Sequence, residues 1–278
     1  MSLQHKTATL GDVTLHYVEE GEGPLVVLLH GFPEFWYSWR RQIPALVAAG
    51  FRVIAPDLRG YNDSTKPTDF HAYNVLNVAR DIAALIVQSG DSPCTVVGHD
   101  WGGVTAWILA MVHPDVVSRL IVVNAPHPVP FSRELRRSSE QKLRAAYQLF
   151  FAMPFLPRIA LRLILPGLMK KMARLDDEEL AEYRKVWSKP RALQSMLDYY
   201  KAMKRHRAEL RGVIKRIDVP TMLIWGEPDA VFIRASSENF GEWVPDLRVE
   251  RLPGTGHFVQ SLAPDAVNER LVSFLAGR

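Results

Sequence analysis

Along the chain, short and mostly apolar runs alternate with stretches in which apolar positions recur every three or four residues. Residues 5–10 and 13–18 read as two strands joined by Gly11-Asp12, a tight-turn signal. Residues 25–29, 52–55, 95–97 and 120–123 are predominantly apolar or β-branched, the pattern of strands covered on both faces. Between them, Ile43, Leu46 and Val47, then residues 75–87, then Val104, Trp107, Ile108 and Met111 repeat at helical spacing. The alternation stops near Pro126-His127-Pro128. From about 131 to 216 the pattern is helical, punctuated by Pro154, Pro157, Pro166 and Pro190. Strands return at 221–225 and 249–252, and 266–275 closes as an amphipathic helix. The expected fold is α/β: a doubly wound, mostly parallel, eight-stranded sheet. Residues 1–130 and 217–278 form its core, and 131–216 form a helical cap inserted over the strand ends.

Composition narrows the class. At 278 residues and 47% hydrophobic, the chain buries a large core. The single cysteine, Cys94, excludes an intramolecular disulfide and a cysteine-rich metal site and favours a reducing compartment. The first six residues lack the apolar core of a signal peptide, and no uninterrupted apolar run is long enough for a bilayer. The expectation is a soluble cytoplasmic protein with no transmembrane segment. The net charge of +4 is unevenly spread. Residues 131–216 hold 21 Lys and Arg against 9 Asp and Glu, a local +12, and the remainder carries −8. Such a basic segment suits nucleic acid or an anionic membrane. No nucleic-acid-reading motif accompanies it, so a solvated helical surface is expected and nucleic acid is not a partner. Residues 149–169 are apolar, but three prolines and two arginines predict short helices with one face lining a cavity.

The chemistry centres on residues 95–103, Thr-Val-Val-Gly-His-Asp-Trp-Gly-Gly. A strand, a sharp glycine-flanked turn and a helix set Asp100 at the crest, with the helix N-terminus aimed at its negative charge. This is the pattern of a nucleophile elbow, G-x-S-x-G, with aspartate in place of serine. A carboxylate there attacks an electrophilic sp³ carbon and leaves an ester on the enzyme. The plain alternative is an aspartate capping a helix. Asp229 and His257 also follow apolar strands, where ligands bind in open α/β sheets. Nucleophile, acid, histidine is the triad order of this architecture. Singly, Asp229 also reads as a turn residue and His257 as a loop histidine. Asn124, after the intervening strand, stands at the other place for the acid, but an amide cannot balance an imidazolium.

His30-Gly31-Phe32-Pro33-Glu34 with Trp36-Tyr37-Ser38-Trp39-Arg40, then Arg59-Gly60-Tyr61, then Gly98-His99-Asp100-Trp101-Gly102-Gly103 closely resemble the α/β-hydrolase-fold epoxide hydrolases. The resemblance covers essentially the whole chain. It implies hydrolysis of epoxides to vicinal diols without cofactor; the expected partners are a small lipophilic epoxide and water, no metal is expected, and the sequence leaves monomer or homodimer open. Asp100 is then the nucleophile, His257 the base and Asp229 its acid partner. The backbone N–H groups of Phe32 and Trp101 form the oxyanion hole, and the Phe32–Pro33 bond is expected to be cis. Of the two cap tyrosines the family uses as proton donors, Tyr200 matches one. Phe150 stands where the other is expected, and Tyr147, one helical turn earlier, is a possible substitute. His30, Pro33, Trp36 and Phe150 are expected on the pocket wall.

The rival enzyme is a haloalkane or haloacetate dehalogenase of the same fold. Phe32 stands where haloalkane enzymes often carry asparagine or glutamate, and the helix after Asp100 lacks arginines for a haloacetate carboxylate. A non-catalytic binding protein of this fold need not keep nucleophile, acid and base together. A serine esterase would need serine at the elbow.

Overall fold

The computed structural model describes residues 3–153 and 156–277, so Pro154 lies outside the described residues. Eight strands form one sheet: β1 (Gln4–Leu10), β2 (Val13–Glu20), β3 (Leu25–Leu29), β4 (Arg52–Pro56), β5 (Cys94–His99), β6 (Val117–Val123), β7 (Thr221–Glu227) and β8 (Leu247–Pro253). Their order is β1-β2-β4-β3-β5-β6-β7-β8. β2 pairs antiparallel with β1 and β4, and every other pairing is parallel. β3 and β5 are buried along their whole length, as their continuous apolar runs require. Alternate residues of β3 serve opposite faces. Val27 and Leu29 pack in the cluster of α2 (Val75–Ser89) and α3 (Trp101–Val112), while Val26 and Leu28 pack on the other side. That second side is covered by α1 (Ile43–Ala48) and, at the end of the chain, by helix Pro264–Leu275.

Seven helices follow β6: α4 (Pro128–Arg137), α5 (Ser139–Arg144), α6 (Tyr147–Phe151), α7 (Leu156–Met172), α8 (Asp177–Ser188), α9 (Ala192–Arg205) and α10 (Arg207–Gly212). Two details depart from the sequence expectation. The first helix starts at Pro128, before the expected boundary at 131, because a proline in the opening turn loses no hydrogen bond and His127 accepts from the Val129 N–H. The apolar stretch is also not cut into short pieces throughout. α7 runs seventeen residues with Pro157 in its first turn and Pro166 in its interior, and its buried row of Leu161, Leu165 and Met169 holds it together.

α8 and α9 tie this set of helices to the turns after β3 and β4. Arg40 and Arg41 both bind Glu179 on α8, the Trp187 indole N–H donates to the Pro33 carbonyl at 2.9 Å, and the Tyr199 hydroxyl donates to the Arg59 carbonyl at 2.8 Å. Among the described residues no single helix is long and apolar enough to cross a membrane.

Candidate active site

Asp100 sits between β5 and α3 with φ 49° and ψ −116°, in a backbone region that a non-glycine residue rarely occupies. Its side chain makes no capping bond to α3, so the plain reading of a helix cap fails. Instead Oδ1 accepts the Phe32 N–H at 2.8 Å, and Oδ2 lies 3.6 Å from His257 Nε2. The surrounding glycines serve close approach. A Cβ on Gly102 would overlap the Leu29 carbonyl, and one on Gly31 would come within 2.5 Å of the Asp100 Cβ. Gly102 and Gly103 lie inside the first turn of α3, not in the preceding turn as the sequence suggested, and neither has a positive φ. The strain sits at Asp100 itself.

His257 follows β8, and its Nδ1 meets Asp229 Oδ2 at 2.8 Å. Asp229 follows β7. Its other oxygen accepts the N–H groups of Val231 and Phe232 at 2.6 and 3.1 Å. The three residues are thus brought together, each from the carboxyl end of its own strand. Burial disfavours the imidazolium, but the charge of Asp229 and the carboxylate of Asp100 outweigh it and raise His257 to about 10. Burial also works against both carboxylates. The facing imidazolium nevertheless holds Asp100 and Asp229 below the usual carboxylate range.

Three supporting groups were missed or set aside by sequence reasoning. Asn124, considered only as an acid and dismissed, donates to Asp229 Oδ2 at 2.7 Å while its Oδ1 accepts the Gly226 N–H at 2.8 Å. Its φ of 42° just after β6 is the mark of a residue placed for its side chain, which the sequence does not display. His99 Nε2 meets the His257 carbonyl at 3.0 Å, and its Nδ1 meets the fully buried Glu34 at 2.9 Å. Phe232 stacks obliquely 5.7 Å from the His257 ring and reaches the cavity wall.

A cavity of about 690 Å³ opens above Asp100, within the size range of small-molecule sites. Asp100, Trp101, Tyr147 and Tyr200 all line it. The Tyr200 ring lies 5.2 Å from Trp101 and 6.0 Å from Tyr147. Tyr199 turns the other way, toward Arg59. Burial, reinforced by Asp100, raises both cavity phenols above their ordinary value, so they are neutral hydroxyls.

The expected wall residues His30, Pro33, Trp36 and Phe150 do not line this cavity. His30 is fully buried and accepts the Leu58 N–H at 3.1 Å, which shapes the turn behind Asp100. The Pro33 carbonyl is taken by Trp187, and the Phe32–Pro33 bond is cis as the resemblance implied. The Trp36 N–H donates to Asp57 at 3.0 Å, and its ring packs on His5. Phe150 packs on Phe151, while Tyr147, Gln148 and Leu149 supply the wall at that turn. Phe32 contributes its backbone at Asp100 and sets its ring 5.6 Å from Tyr200. Among the described residues no group of three or more His, Cys, Asp or Glu could hold a metal.

The α/β hydrolase fold family matches residues 24–264. The chain is 36% identical to an AB hydrolase superfamily protein, YfhM, of Bacillus subtilis, over 95% of this chain and 94% of that one. It is 35% identical to human epoxide hydrolase 4 over 94% of this chain and 75% of the relative. Among solved structures, a Bacillus megaterium epoxide hydrolase bound to an inhibitor superposes with a TM-score of 0.90 at 32% identity, covering 98% of this chain and 100% of the other. Epoxide hydrolase A of Mycobacterium thermoresistibile superposes at 0.87 with 30% identity, covering 99% of each chain.

Proposed function

The chain belongs to the α/β hydrolase fold family, and on that footing we propose that it hydrolyses epoxides to vicinal diols through a covalent ester on Asp100. The observation that carries this reading is the Asp100 carboxylate: strained at the crest of the turn, it does not cap its own helix. One oxygen is held by a backbone N–H, and the other faces the histidine of an Asp–His pair.

Asp100 Oδ2 attacks one ring carbon in line with the C–O bond, which breaks. The departing oxygen is strongly basic and takes a proton from a cavity phenol, Tyr200 or Tyr147. Forming the ester removes one of the two anions that keep His257 charged. The imidazolium then returns a proton to the tyrosinate and becomes a neutral base, oriented by Asp229 through Nδ1. His257 takes a proton from a water that attacks the ester carbonyl. Oδ1 becomes the tetrahedral oxyanion beside the Phe32 N–H, with the Trp101 N–H as the second donor. Collapse breaks the Cγ–Oδ2 bond, the departing alkoxide takes the proton left on the added hydroxyl, and the diol leaves with the carboxylate restored and His257 again an imidazolium. The net reaction is epoxide plus water to diol, with every proton accounted for.

The helices of residues 131–216 act as the cap that carries the phenols and closes the cavity over Asp100. A single buried cysteine supports a reducing, cytoplasmic setting.

The test is turnover of a small panel, namely styrene oxide, a fatty-acid epoxide, a haloalkane and chloroacetate, with product identification. Diol from the epoxides with little halide release supports the proposal. Halide release at a rate comparable to diol formation transfers the assignment to a dehalogenase.

A further inference from the structure

We infer that the outer face of α5–α7 docks this protein on an anionic lipid bilayer, with the cavity mouth at the edge of that face. Among the described residues ten large apolar side chains are exposed, and eight of them fall between Leu143 and Leu168. α7 carries most of them and is apolar on two sides. Leu161, Leu165 and Met169 face the protein, while Leu156, Ile159 and Leu163 face outward, with Leu163 79% and Ile159 56% exposed. A helix at a water-facing surface ordinarily presents polar residues outward. An apolar patch of this kind on a soluble chain marks a surface that meets something apolar.

Charge says what covers it. From residue 141 to 175 the sequence holds seven Lys and Arg and no Asp or Glu. Arg158 and Arg162 stand on α7 itself, exposed beside the apolar face. Two copies meeting through this face would bring their positive charges together, so a second copy is disfavoured. An apolar helical face flanked by Lys and Arg is the composition of elements that lie in the headgroup region of anionic membranes. A solvated basic surface accounts for the cations but not for the leucines.

The cavity opens at the same place. Leu149 belongs to the exposed patch, at 66% exposure, and also lines the cavity. Arg136, Lys142, Lys204, Arg207 and Arg211 are exposed and line the cavity as well, and its one acidic lining residue is Asp100. An apolar cavity with a cationic rim beside an apolar face is suited to receive a lipophilic molecule from a bilayer whose headgroups are negative. This inference stands on surface composition and does not depend on the reaction assigned to Asp100.

Co-sedimentation of the full-length protein with phosphatidylcholine vesicles, and with vesicles that also contain phosphatidylglycerol, tests it. Wild type is expected to pellet with the anionic vesicles at low salt, less at high salt, and weakly with phosphatidylcholine alone. Ile159→Gln/Leu163→Gln should weaken partitioning roughly tenfold or more, by removing two apolar anchors. Arg158→Gln/Arg162→Gln should weaken it and flatten its salt dependence. Both pairs lie outside the cavity, so thermal melting and turnover of a water-soluble epoxide should match wild type. Absence of binding to anionic vesicles overturns the inference, as does binding that neither pair affects. So does a concentration-dependent dimer, seen without vesicle binding, that Ile159→Gln/Leu163→Gln dissolves.

Discussion

Asp100 divides its two oxygens between two tasks, one fixed on the Phe32 N–H and one turned toward His257. That division links the charge of the histidine to the state of the Asp100 carboxylate. His257 is raised to about 10 because two carboxylates outweigh its burial, so it is an imidazolium at neutral pH in the free protein. Asp100→Asn removes one of the two anions, and the imidazole should then titrate at a clearly lower pH, as followed by histidine NMR. A raised folded value also has a stability consequence. The favourable contribution of charged His257 is fully present below about pH 6.5 and is lost as pH rises through about 10. Wild type should therefore lose its stability advantage over His257→Gln across that window, measured by denaturant unfolding at a series of pH values. Equal pH profiles would mean that the imidazole is not held charged. For the phenols, losing one hydrogen bond to a developing oxyanion costs about 100- to 1,000-fold. Single-turnover ring opening should slow by that order in Tyr200→Phe and also in Tyr147→Phe, since both tyrosines line the cavity with Asp100. The double variant should lose less than the product of the single losses. The meeting of Asp100, Asp229 and His257 was legible because an acid, an acid and a histidine each follow an apolar strand run. The pocket wall was not: His30 and Trp36 lie in the motif, yet their contacts shape the turn's backbone, and only packing reveals that.

The elements themselves were largely written in the apolar pattern, because a strand covered on both faces has no choice but to be apolar. Their ends were less legible. β8 starts at Leu247 and includes the exposed Arg248, since pairing with β7 rather than burial decides where it begins. α7 passes through Pro166 because its buried row offsets the lost hydrogen bond. The close contact between the turn after β3 and the elbow gives a sharp element-scale prediction. Gly31→Ala would place a methyl about 2.5 Å from the Asp100 Cβ and push the carboxylate off the Phe32 N–H. Ring opening should fall by at least about 100-fold, the scale of a nucleophile displaced by an ångström, while secondary structure by circular dichroism stays intact. Near-normal ring opening would show that the turn is free to give way. Glu179 joins two elements: it completes the capping box of α8 with Asp176 and binds Arg40. Glu179→Ala should cost about 2 kcal/mol, visible as a drop of several degrees in thermal unfolding.

At the scale of the whole molecule, the fold class and the run of helices between β6 and β7 followed from where strands stop and resume. The shape of the cavity did not, because five of the helices after β6 set it jointly with α2 and α3, and helical periodicity alone does not say which face of each turns inward. Hence the sequence leaves Tyr147 and Phe150 as alternatives on one helix and points Phe150 at a wall that Gln148 and Leu149 in fact supply. On the proposed mechanism the architecture divides the reaction in two: the helices after β6 would bring the phenols for ring opening, and the loops after β7 and β8 the pair for ester hydrolysis. Removing the base should therefore stop the protein halfway. Intact-mass analysis of His257→Gln mixed with styrene oxide tests this most directly. The account predicts a protein heavier by one substrate, with the added mass located on Asp100 by peptide mapping. Sustained turnover by this variant with no adduct, or an adduct on another residue, would contradict it.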